Sequence, residues 1–241
     1  MHDSVNNSSD NSTHKMIRLH RERAGEGAPV VLSHGLGDDA STWAALAPLL
    51  AAGHSVHTWD LRGHQRSEAP GDAGAYTLEC ATDDLLGIVE EIAEPVHLVG
   101  HSLGGFISLA LALRRPDLVR TLTMISSGPG YRDPEAREAW NRYVDRAVER
   151  MPVAPMVAGL ARQEDSWVID HASELQPPLL IVVGERDDRF QPGAAYLSRA
   201  VSGSTLVQVA GAGHHPQQTH AHDVAASLLD LLCSTDRTVT R

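Results

Sequence analysis

The sequence predicts an α/β protein: a mostly parallel central sheet with helices on both faces and a short helical insertion over residues 131–176. Three observations carry this. Continuous apolar runs at 29–33, 95–99, 119–125, 178–183 and 205–210 read as strands buried on both faces. Between them lie stretches with apolar residues at helical spacing, the βα rhythm of a parallel sheet. Several runs end in glycine-rich turns, such as Gly35-Leu36-Gly37 and Gly211-Ala212-Gly213, where open parallel sheets place their sites.

Residues 1–15 are rich in Asn, Ser, Asp and His and show no hydrophobic periodicity, so a disordered N-terminal tail is expected ahead of a single domain over 16–233. They lack the apolar stretch of a secretory signal. Residues 17–21 alternate apolar and polar, which suits an antiparallel edge strand. A helix is expected over 42–52 and a strand over 55–60. Over 77–93, Leu78, Ala81, Leu85, Val89 and Ile92 fall at helical spacing. The run 95–99 leads into a helix over 106–113 and the next strand at 119–125. In the insertion, Asp133 can cap a helix with Pro134 in its first turn. Ala136, Ala139, Trp140, Tyr143, Val144, Ala147 and Val148 then form one stripe. The strand at 178–183, a helix opened by Pro192, the strand at 205–210 and a final helix carrying Val224, Leu228, Leu231 and Leu232 complete the domain. Residues 234–241 are expected to be a polar C-terminal tail.

Composition narrows the partners. The chain of 241 residues has 20 Lys and Arg against 31 Asp and Glu, a formal net charge of −11. That charge argues against nucleic acid or an anionic membrane surface, and no apolar run is long enough for a membrane span. Cys80 and Cys233 both fall in expected helices, which suits reduced core thiols and a cytoplasmic location. Neither His214 with His215 nor His54 with His57 has a third ligand at metal-site spacing, so no metal is expected.

The chemistry centres on Gly100-His101-Ser102-Leu103-Gly104, between an apolar strand and a helix. A serine on so tight a strand-to-helix turn has its hydroxyl lifted clear of the sheet, and the flanking glycines let the backbone fold sharply. A hydroxyl is a weak nucleophile at neutral pH and needs a base. The later loops Gly184-Glu185-Arg186-Asp187-Asp188 and Gly211-Ala212-Gly213-His214-His215 offer three acids and two histidines. Spacing alone leaves the choice among them open.

Four segments together resemble the α/β-hydrolase superfamily, in its branch of small, cofactor-free serine hydrolases and esterases. They are Ser33-His34-Gly35-Leu36-Gly37, the segment from Asp60 to Ser67, the serine turn, and the acid and histidine loops. The resemblance covers roughly residues 16–232. It implies Ser102 as nucleophile, His214 as base and Asp187 as the acid that orients it. It also implies backbone amides of Leu36 and Leu103 as oxyanion donors, with no cofactor. One departure is Gln65, which stands where a glycine is common. The insertion then becomes a lid, with Trp140, Tyr143, Met151, Met156 and Trp167 as pocket walls and His34 and His101 beside the serine. The expected function is hydrolysis of a carboxylic ester of a small to medium apolar molecule through an acyl-enzyme. Lactones, thioesters and carbon–carbon bonds suit the same residues, and a receptor-like ligand binder that keeps them is the rival from another class. Oligomeric state is not legible.

Overall fold

The computed structural model describes residues 17–239; the expected tail at 1–15 lies outside them. The strands are β1 (Arg21–Ala24), β2 (Pro29–Ser33), β3 (Ser55–Trp59), β4 (Val96–His101), β5 (Val119–Ile125), β6 (Leu179–Gly184) and β7 (Thr205–Val209). They form one sheet in the order β1-β3-β2-β4-β5-β6-β7. The β1–β3 pair is antiparallel and the rest are parallel. The α-helices are α1 (Ala47–Leu50), α2 (Leu78–Ile92), α3 (Leu103–Arg114), α4 (Pro134–Val148), α5 (Trp167–His171), α6 (Gln191–Ala200), α7 (Pro216–Thr219) and α8 (Ala221–Val239).

Strand residues alternate between two cores, because successive side chains leave opposite faces of the sheet. Val31, Leu98, Ile181 and Val183 pack with Leu85 of α2, Ile107 of α3 and Leu197 of α6. Val30, Leu32, Val99, Leu180 and Val182 pack with Leu50 of α1 and Val224 and Leu228 of α8. Each such side chain taken fully out of water contributes about 1.5–3 kcal/mol, so both faces anchor β4, the strand that delivers Ser102.

Capping follows the sequence. Thr77 accepts from the Cys80 amide at the start of α2, and Asp133 accepts from Glu135 with Pro134 in the first turn of α4. Several expectations change. β7, expected to be buried on both faces, is an edge strand with only Val209 buried. The edge strand lies at Arg21–Ala24, where all four residues are exposed and hydrophobicity gives no signal. Residues 18–20 are instead tied to the 60–68 loop, with His20 accepting from the Asp60 amide at 3.0 Å. The helix expected over 42–52 is broken into a 3₁₀ turn, Ala40–Trp43, and α1. Pro48, with no N–H to donate, fits the first turn of α1 but not the interior of a longer helix.

The expected C-terminal tail is also helical as far as Val239. Asp236 on α8 accepts from His97 and Arg120, each at 3.1 Å, and faces His54 at 3.4 Å. Buried polar partners, not apolar periodicity, extend this helix past Cys233. Cys80 is buried, but Cys233 is exposed and is not a core thiol. No helix among the described residues is long and apolar enough to cross a membrane.

Candidate active site

Ser102 sits between β4 and α3 at φ 50°, ψ −116°, a backbone conformation that L residues rarely hold without tertiary support. The support is visible. Its amide donates to Ile125 O at 2.9 Å, and its carbonyl accepts from the Ser127 hydroxyl at 2.7 Å and the Gly105 amide at 3.0 Å. The two glycines of the turn are obligatory for space. A Cβ on Gly100 would lie 2.3 Å from Gly104 O, and one on Gly104 would lie 2.1 Å from Ser33 O.

Asp187 and His214 come together from the ends of β6 and β7, with Asp187 Oδ2 accepting from His214 Nδ1 at 3.0 Å. Asp187 is buried and Asp188 is exposed. Burial is the largest single influence and would raise the Asp187 carboxyl; the hydrogen bond and charge of His214, with Ser126 and His101 adding to them, together outweigh it and leave the carboxyl below its ordinary range. Glu185, the third acid of the loop, accepts from the Gly211 amide at 2.7 Å and so braces the histidine loop. Phe190 stacks on the His214 ring at 4.8 Å and 20°, and His101 Nε2 lies 2.9 Å from His214 O. A carbonyl only accepts, so Nε2 of His101 carries the proton. The imidazole of His214 is thereby held from its ring face, its carbonyl and its Nδ1.

The amides of Leu36 and Leu103 have no protein acceptor among the described residues, and both residues line the cavity in which Ser102 lies. Leu103 N opens α3, where the helix dipole adds positive potential. Two buried histidines fix the loop that carries Leu36. His34 donates from Nδ1 to Gly35 O at 2.7 Å, and its Nε2 accepts from Leu61 N at 2.9 Å. His64 repeats the pattern with Arg62 O at 3.0 Å and Gly37 N at 3.1 Å. Each ring is locked neutral by its partners: a proton on Nε2 would meet an N–H. Burial, with repulsion from His64, depresses His34 to about 3.

A cavity of about 410 Å³ opens over Ser102, with mostly apolar walls. Of the residues named from the sequence, His101, Trp140, Tyr143 and Met151 line it. Three of these come from the insertion. His34 does not reach the cavity; it is fully buried behind the loop. Met156 packs against the core, and Trp167 faces a separate cleft of about 240 Å³ with Arg114 stacked on it at 5.5 Å. Helical spacing shows which residues turn inward, but not whether they meet core or cavity. Asp38, His215, Phe190 and Arg189 also line the cavity; of these, sequence reasoning considered His215 only as an alternative base and missed the other three. The position of Phe190 three residues after Asp187 was the available signal.

Gln65 has φ 37°, in the left-handed region where a glycine would be unstrained. Arg62 is structural: it is buried and makes a bidentate pair with Asp84 at 2.6 and 2.7 Å. Arg66 bonds Asp60 at 3.1 Å.

A model of the alpha/beta hydrolase fold family matches residues 28–163. The chain belongs to the alpha/beta hydrolase family. Among curated proteins it is 31% identical over 269 aligned positions to 2-hydroxy-6-oxononadienedioate/2-hydroxy-6-oxononatrienedioate hydrolase 2 of Pseudomonas putida, covering 90% of this chain and 92% of that protein. It is 43% identical over 113 residues to the putative carbamate hydrolase RutD of Variovorax paradoxus, a match over 45% of this chain and 42% of that protein. The matched stretch thus spans less than half of that relative. Among solved structures, a thermophilic esterase from Thermogutta terrifontis superposes with a TM-score of 0.78 at 26% identity, covering 91% of this chain and 94% of that one. This alpha/beta hydrolase is therefore similar to proteins named for different bonds, and its own cavity must distinguish among them.

Proposed function

We propose that this alpha/beta hydrolase is a serine hydrolase that cleaves a carboxylic ester of a small to medium apolar molecule. The observation that carries the reading is the convergence on one cavity of a serine in a strained turn, an acid–imidazole pair and two unengaged backbone amides. In the reaction, His214 Nε2 takes the proton of the Ser102 hydroxyl as Oγ attacks the ester carbonyl. Asp187 keeps the Nδ1–H tautomer and stabilises the imidazolium. The amides of Leu36 and Leu103 receive the developing oxyanion, and preorganised donors of this kind lower the barrier by about 3–4 kcal/mol each. His214 returns its proton to the leaving alkoxide, and water then repeats the cycle on the acyl-enzyme. The apolar walls favour an apolar acyl or alcohol group, and the volume of about 410 Å³ is at the small end of ligand sites.

Hydrolysis of a carbon–carbon bond is the second reading, favoured by the Pseudomonas putida relative matched over 92% of its length, which is named as a hydrolase of 2-hydroxy-6-oxononadienedioate. The test is turnover of p-nitrophenyl esters of graded chain length by the intact protein and by Ser102→Ala. Multiple turnovers lost in the variant support the serine esterase. Absence of ester turnover by folded protein, with cleavage of a vinylogous 1,5-diketone, would replace it with the second reading.

A further inference from the structure

Beside the acid–imidazole pair lies a second cluster that the reaction does not use. Asp38 and His215, from two loops, and His101, the last residue of β4, place one carboxylate oxygen and two ring nitrogens within 4.8 Å of one another. Asp38 Oδ2 is 3.4 Å from His101 Nδ1 and 3.4 Å from His215 Nε2. His101 is 1% exposed, and its Nδ1 has no hydrogen-bond partner.

That orphan atom is the informative one. Because Nε2 of His101 spends its proton on His214 O, a neutral ring presents a lone pair at Nδ1. This lone pair points at a carboxylate oxygen, so two acceptors face each other in a buried corner. Something cationic belongs between them.

We propose that Asp38, His101 and His215 form a binding site for a divalent transition ion of the zinc class, at the mouth of the hydrolase cavity, and that the ion inhibits turnover. The donor set, two imidazole nitrogens and one carboxylate oxygen, is a common one for zinc. Bond lengths of about 2.0–2.1 Å in a tetrahedron set donors roughly 3.3 Å apart, close to the two observed separations of 3.4 Å. The third edge closes by rotation of His215, whose side chain is 37% exposed. All three residues line the cavity, so the fourth coordination position faces substrate space.

Inhibition follows from charge, and this arm rests on the serine-hydrolase reading. The His101 and His214 rings are 4.8 Å apart between centroids. A dication on His101 would oppose formation of the His214 imidazolium, and its fourth ligand would occupy the cavity mouth. Binding itself does not depend on that reading.

The experiment uses full-length, tag-free protein stripped with chelator and titrated calorimetrically with Zn²⁺. Co²⁺ is added in parallel for its visible spectrum. The expected result is one saturable site whose affinity falls by about 10-fold or more in Asp38→Asn and in His215→Gln, with four-coordinate Co²⁺ bands that both variants lose. Ester turnover should fall as the site fills and recover on chelation. His215 lies at the rim, so its variant remains informative if Asp38→Asn fails to fold. No saturable binding at millimolar Zn²⁺, or binding that both variants retain, would overturn the site. Filling of the site with ester turnover unchanged would overturn the inhibition.

Discussion

Mild acid should destabilise this fold well before its carboxylates protonate, and His34 sets the size of the effect. Its ring is fully buried, donates to Gly35 O and accepts from Leu61 N, so the folded state has no place for a second proton. Burial, together with the neighbouring His64, lowers its pKa from 6.5 to about 3. The folded value lies below the unfolded one, so the unfolded chain binds more protons in between. Stability from this group is therefore complete above 6.5 and is lost as pH falls towards 3. Each unit below the unfolded value costs about 1.4 kcal/mol, so moving from about pH 7.5 to about pH 5 removes about 2 kcal/mol through His34 alone. Burial lowers His64 and His97 as well, with the same sign. His215 opposes them, because its bond with Asp38 raises its pKa and adds stability below 6.5. The assay is urea unfolding followed by fluorescence of the buried Trp43 and Trp59, with EDTA present throughout. For an m-value of about 2–3 kcal/mol/M, the midpoint should drop by about 0.7–1 M between those pH values. His34→Gln cannot titrate and should flatten the slope by close to one proton. An unchanged wild-type midpoint, or a variant that titrates as steeply as wild type, would refute the assignment of His34 as a locked neutral ring.

Asp187→Asn should lower kcat/KM for an activated ester by about 10³–10⁴-fold, whereas Asp188→Asn, at an exposed position, should stay close to wild type; steady-state kinetics on both variants decides. Arg62→Met leaves the Asp84 carboxylate buried without its bidentate partner and should cost about 3–5 kcal/mol in chemical denaturation. Most of that should return when Asp84→Leu is added. Gly104→Ala forces a methyl to within 2.1 Å of Ser33 O and should destabilise by about 3 kcal/mol or more, read as a fall in Tm together with lost turnover. Trp140→Ala removes a cavity wall and its bond to Ala161 O at 2.8 Å. Preference among p-nitrophenyl esters should then shift to longer acyl chains, and an unchanged profile would remove Trp140 from the specificity pocket.

The inner parallel strands were legible because each must satisfy two apolar faces, and a continuous run such as Leu179–Gly184 has no other economical reading; the run at 205–210 marked a strand too, but one at the sheet edge whose residues are mostly exposed. β1 was misplaced by several residues because Arg21–Ala24 is held by backbone pairing with β3 while every side chain stays in water. The serine turn was legible for a steric reason: Gly100 and Gly104 stand where a Cβ would strike backbone at 2.3 and 2.1 Å. Trp140 and Tyr143 line the cavity, whereas Met156 packs on the core and Trp167 faces a separate cleft. Periodicity reports that a side chain turns inward and is silent on what it meets there.

Histidine shows the limit most clearly. This chain has 14 of them, and residue type assigns none a role. In the fold they divide by which ring nitrogen faces an acceptor and which faces a donor. His34 and His64 have Nδ1 on a carbonyl and Nε2 on an amide, a complete set of partners that makes them braces for the Gly35–Gly37 turn. His214 has Nδ1 on the Asp187 carboxylate while its other nitrogen has no protein partner among the described residues, which is the arrangement of a base. His101 has Nε2 on a carbonyl and Nδ1 facing a carboxylate, an incomplete set that calls for a cation. The partners of these rings lie far apart in the chain, so no local pattern encodes the difference. It is written in the loops that the sheet gathers at the C-terminal ends of β2, β4, β6 and β7.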